Sequence, residues 1–190
     1  MRLLIWLCLA VGLTLPLLLA TQSPQLAWRS PIYIAAGFAG IIAMSALVMQ
    51  PLLAARALPG IKPRLARTLH RGIGALLVLL IIAHVGGLWI TSPPDVVDAL
   101  TFTSPTPFSV WGVLAMWALF GSALLAVNRS RLHPRWWLRA HLTLGGGIIA
   151  GTILHVLLIE GTMEIVSKWA LATVLALIFI ATVLRRLTRG

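Results

Sequence analysis

The sequence predicts an all-α integral membrane protein, a bundle of six transmembrane helices with both termini in the cytoplasm. Three observations lead there. The chain is 59% hydrophobic and 10% charged, with a mean hydropathy of +0.99. Its apolar residues fall into runs of spanning length, and its basic residues gather at alternate ends of those runs. So apolar a chain cannot wrap one core in a solvated surface, and the bilayer must be its solvent.

The first run, Leu3 to Ala20, follows Arg2 and has the shape of either an anchor or a signal peptide. Bulky Leu18 stands where cleavage wants a small residue, which favours a retained anchor; cleavage would leave five spans in the same orientation. The remaining spans are expected over Ile32 to Ala55, Leu69 to Ile90, Pro107 to Val127, Leu138 to Ile159 and Ile165 to Leu184. Each is close to the ~20 residues a helix needs to cross the hydrocarbon. Ser23-Pro24, Pro59-Gly60, Pro93-Pro94, Pro105 and Pro134 punctuate the connections, where backbone groups can meet water. The chain from 1 to 190 is thus one transmembrane domain.

A formal charge of +11 raises the question of nucleic acid, which the placement of the charges answers. Arg2, Arg56, Lys62, Arg64, Arg67, Arg71, Arg129, Arg131, Arg135, Arg139, Arg185, Arg186 and Arg189 all fall on one side of the spans, 13 of the 15 basic residues. The other side holds Arg29 and Lys168 with all four acids, Asp95, Asp98, Glu160 and Glu164. By the positive-inside rule both termini are cytoplasmic, and the charge is a topology signal rather than a nucleic-acid footprint. The expected location is a bacterial inner membrane. The single cysteine, Cys8, excludes a disulfide framework, and there is no C-x-x-C-H for covalent haem. No repeat of fixed period is visible, although the third and fifth spans echo each other.

Ionisable side chains inside a span are costly and point to function. The third span carries His70 and His84, the fifth His141 and His155, fourteen apart in each case. Fourteen residues make about 3.9 turns and about 21 Å of rise, so each helix offers two imidazoles on one face. Both spans start from the basic side, so His70 can meet His141 and His84 can meet His155 at matching depths. Two imidazoles facing each other suit a six-coordinate haem, and two such layers suit two haem b groups held without covalent bonds. Zinc would instead want three or four ligands converging on one point, which ligands about 21 Å apart along a helix cannot supply.

Gly74, Gly145 and Gly151 each lie one turn from a histidine, where a porphyrin edge needs clearance; close helix packing explains such glycines equally well. Arg67, Arg71 and Arg139 flank the inner pair and can meet haem propionates, or simply obey the topology rule. His133 and the tryptophans Trp89, Trp111, Trp117, Trp136 and Trp137 are expected at interfaces or in packing.

The segments Leu69-His70-Arg71-Gly72-Ile73-Gly74 and Ala83-His84-Val85, with Trp136-Trp137-Leu138-Arg139-Ala140-His141 and Leu154-His155-Val156, resemble the ferric reductase-like transmembrane domain. The family includes ferric reductases, NADPH oxidases and the haem subunit of the periplasmic methionine sulfoxide reductase system. The resemblance covers roughly residues 32 to 184. It implies that His70, His84, His141 and His155 are haem ligands, and that electrons pass from a cytoplasmic flavin through the inner haem to the outer haem and an external acceptor.

One departure is large. The longest segment between spans runs from about Thr91 to Thr106, with no Gly-rich nucleotide loop and no room for a flavin or NAD(P)H domain. The donor is therefore expected to be a separate cytoplasmic flavoprotein or a membrane quinol. A quinone-linked dihaem cytochrome b, and a haem-free transporter or scaffold using its histidines for protons or packing, stand as the alternatives.

Overall fold

A computed structural model of the chain describes residues 1–188 and leaves the side chains of Arg186 and Leu187 undescribed. Arg189 and Gly190, the last basic residue and the terminus placed in the cytoplasm above, lie outside the described residues. The described residues form seven α-helices and two short 3-10 turns: α1 (Arg2–Ala20), α2 (Pro31–Ala54), α3 (Pro63–Thr91), α4 (Pro93–Leu100), α5 (Ser109–Val127), α6 (Pro134–Leu158) and α7 (Ile165–Leu187). All but α4 are long and apolar enough to cross a membrane.

Proline or a polar cap starts most of these helices. Pro31, Pro63 and Pro134 each open a helix, where a fixed φ helps and the missing N–H has no intrahelical partner to lose. Ser30 accepts from the Tyr33 N–H at 3.3 Å. Glu164 accepts from the N–H groups of Val166 and Ser167, both at 2.8 Å. Those two bonds, Val166 first, hold its carboxyl below the ordinary value.

Helices α3 and α6 begin at Pro63 and Pro134, ahead of the apolar runs at Leu69 and Leu138. The apolar run marks only the part in hydrocarbon, and a helix can carry Arg64, Arg67 or Arg135 for another turn into water. The short α4 was expected as loop; the Ser92 hydroxyl donates to the Asp95 carboxylate at 2.5 Å across its first turn.

Two hairpins dominate the packing, α2 against α3 and α5 against α6. Helix α7 lies on α2 and α6, and α1 on α2 and α7, while α3 leans on α5. The core joins Met44, Leu47 and Val48 of α2, Leu77 of α3, Leu119 of α5, Ile148 and Ile149 of α6, and Leu171 and Leu175 of α7. A smaller cluster of Leu53, Leu58 and Ala66 closes the basic end. There the Trp6 indole N–H donates to the Pro59 carbonyl at 3.3 Å and ties α1 down. At the opposite end buried Lys168 donates to the Ile159 carbonyl at 3.0 Å, placing a cation on the negative end of α6.

Candidate functional site: two layers of paired histidine

The four histidines predicted from spacing lie on α3 (His70, His84) and α6 (His141, His155), partly buried, and each ring is fixed through Nδ1. His84 Nδ1 lies 2.8 Å from the Ala36 carbonyl and His155 Nδ1 lies 2.9 Å from the Phe108 carbonyl. His70 Nδ1 lies 3.3 Å from the Gln50 carbonyl, and the Gln50 amide donates back to the His70 carbonyl at 3.2 Å. His141 Nδ1 meets the Ser122 hydroxyl at 3.1 Å. A carbonyl only accepts, so Nδ1 of His70, His84 and His155 bears the proton and the lone pair belongs to Nε2. Metal-binding histidines are characteristically oriented in this way.

The outer pair needs glycine beneath it. A Cβ on Gly40 would stand 3.0 Å from Nδ1 of His84, and one on Gly112 would stand 2.6 Å from Nδ1 of His155. Each glycine is four residues beyond the carbonyl that accepts from the ring, so the imidazole reaches that carbonyl across a bare turn of helix.

These supports come in matched sets. Ala36, Gly40 and Gln50 on α2 correspond to Phe108 at the cap of α5 and to Gly112 and Ser122 within it, a shift of 72 residues in each case, while His70 and His84 correspond to His141 and His155 at a shift of 71. The two hairpins are two copies of one arrangement. The sequence conceals this because the matched support positions differ in residue type or are glycines among many. Only the histidines carry a visible echo.

Across the bundle the His70 and His141 rings stand 6.1 Å apart between centroids, with their planes at 71°. An iron between two Nε2 atoms, at a metal–nitrogen bond of about 2 Å each, sets ring centroids about 6 Å apart. The inner pair is therefore spaced so that one metal ion could lie between its rings. Trp137 stacks on His141, with centroids 5.1 Å apart and planes 9° apart, and Phe108 meets His155 edge-on at 5.6 Å.

The other predicted residues divide. Gly145 has open space where a Cβ would stand, and Gly74 faces only the Gln50 amide at 3.7 Å. Gly151 is in contact with α5, where a Cβ would lie 2.9 Å from the Trp111 carbonyl, so its place is explained by helix packing. Arg67, Arg71 and Arg139 are exposed near the inner pair, Arg139 over Trp136 at 5.9 Å. His133 accepts from the Arg135 N–H at 3.4 Å and opens α6. Gly40, Gly112, Gln50 and Ser122 were not anticipated, and Trp137 was expected at an interface or in packing.

Fold and site together define a multi-pass helical membrane protein with two histidines on each of two helices, α3 and α6. The family model for the ferric reductase like transmembrane component matches residues 36–152, and the chain belongs to that family. Membership points to electron transfer in the membrane. The match takes in His70, His84 and His141; His155 lies just beyond it and matches His84 in the backbone carbonyl that its Nδ1 meets. No curated protein and no solved structure matches the chain.

Proposed function

We propose that this protein carries electrons across the bilayer through two non-covalent b-type haems, an inner one between His70 and His141 and an outer one between His84 and His155. The 6.1 Å separation of the inner rings carries the reading, since it fits two nitrogens on one iron. The matched Nδ1 bonds extend it to the outer pair. When bound, haem supplies one-electron chemistry at iron. The chain's own part would be to hold the four imidazoles through Nδ1, leaving Nε2 to bind iron, and to keep water away. Arg67, Arg71 and Arg139 would meet propionates at the inner end.

The basic end faces the cytoplasm of a bacterial cell, by the 13 to 2 division of basic residues. Electrons come from a cytoplasmic flavoprotein or from membrane quinol, and leave to an external acceptor. NAD(P)H oxidation is assigned in this reading to the donor flavoprotein rather than to this chain. A pyridine haemochrome assay on purified protein tests the reading. Two haems per chain are expected; a colourless protein would overturn it.

A further inference from the structure

Trp137 lies between the basic surface and His141. Its ring stacks face to face on the imidazole, its indole N–H donates to the Leu125 carbonyl of α5 at 3.1 Å, and the Arg129 guanidinium carbon sits 4.7 Å from its ring centroid. Beside it opens a cavity of about 300 Å³ lined by Arg129, Leu132, Pro134, Trp137 and Leu138. An interfacial tryptophan that merely marks membrane depth needs none of these constraints. This one is pinned by a hydrogen bond, a cation and a histidine.

The matching half of the bundle carries no tryptophan at the corresponding position. At the 71-residue shift that relates His141 to His70, Trp137 corresponds to Ala66, which is buried with Leu53 and Leu58. A methyl group offers no π surface. The two halves support their histidines alike, and in the α6 half a stacked indole continues the imidazole to a cavity lined by Arg129.

We propose that electrons enter this protein at the α5–α6 end of the bundle, from an acidic donor protein docked over the Arg129 cavity, with Trp137 as the electronic bridge to His141. This rests on the haem reading above. Arg129, Arg131 and Arg135 supply the positive field that steers and orients an acidic partner. Each electron is lost by a reduced flavin of the donor and gained by ferric iron held at the inner pair, which becomes ferrous; protons released by the flavin return to the cytoplasm. Trp137 is neither oxidised nor reduced, and no bond in this chain forms or breaks.

The test uses the full chain in proteoliposomes, with Trp137→Leu, Trp137→Phe, Arg129→Gln and, at the opposite hairpin, Arg64→Gln. Haem reduction is followed with a flavoprotein reductase and separately with dithionite. Trp137→Leu is expected to keep both haems and its rate with dithionite, to shift the low-spin electron paramagnetic resonance of the inner site, and to slow reduction by the flavoprotein about tenfold or more. Trp137→Phe should retain most of that rate. Arg129→Gln should raise the donor concentration needed, and Arg64→Gln should not.

An unchanged flavoprotein rate in Trp137→Leu would overturn the bridge, as would equal slowing with dithionite. If Trp137→Leu does not fold, a wild-type response in Arg129→Gln, or an equal effect of Arg64→Gln, overturns the entry point. An Arg129→Gln effect that disappears in vesicles of purely zwitterionic lipid would assign the cavity to a lipid headgroup and overturn docking. A wild-type protein without haem would overturn the proposed function itself.

Discussion

The imidazole of His155 rests on the backbone of α5 at Gly112, so closely that a Cβ there would come within 2.6 Å of Nδ1. His84 has the same relation to Gly40 on α2, a little looser at 3.0 Å. The outer histidines are thus held by bare helix surface rather than by side chains, which sets the first prediction.

Gly112→Ala should push His155 off the Phe108 carbonyl and cost the outer haem, leaving about half the haemochrome signal. Overpacking of this kind costs about 1–3 kcal/mol. Gly40→Ala, with more room, should weaken the outer site less. Full haem content in Gly112→Ala would show that the ring relaxes without loss of ligation.

Replacing the proposed ligands themselves should divide the spectrum by layer. His84→Ala or His155→Ala should remove the outer haem and block transfer to an external acceptor while the inner haem still reduces. His70→Ala or His141→Ala should remove the inner one. Spectra unchanged in all four variants would place ligation elsewhere.

Glu164 should contribute an acid limb to stability. Its carboxyl is held below the ordinary value by the Val166 and Ser167 N–H groups. Its contribution is therefore present above the unfolded value and is lost as pH falls through the folded one. Glu164→Gln should flatten the thermal stability of the detergent-solubilised protein over that acid range and leave neutral pH little changed. A wild-type acid profile in the variant would remove the cap from the account.

Topology is checked by a reporter fused after Gly190, expected to be active only in the cytoplasm. Activity only outside would reverse the order of inner and outer haem and move the donor to the opposite face.

Spacing and charge alone determined a good deal. Hydrocarbon accepts only long apolar helices, so six spans are written in composition; α4 was missed because an eight-residue polar helix leaves no such mark. A histidine in a span is costly, so four of them at two equal spacings on helices of one polarity could be read from the sequence as a candidate site.

What only the tertiary structure decided is which neighbours hold those rings. Gly40, Gly112, Gln50 and Ser122 are ordinary residues in their own helices and become supports only when α2 lies on α3 and α5 on α6. The same holds for Trp137, one turn from His141 and indistinguishable by position from any interfacial tryptophan until its ring is seen stacked on the imidazole. Sequence periodicity reports the face a residue shares with others on its own helix. Hydrogen bonds and ring contacts between helices depend on rotation and crossing, which are set by packing across the whole bundle.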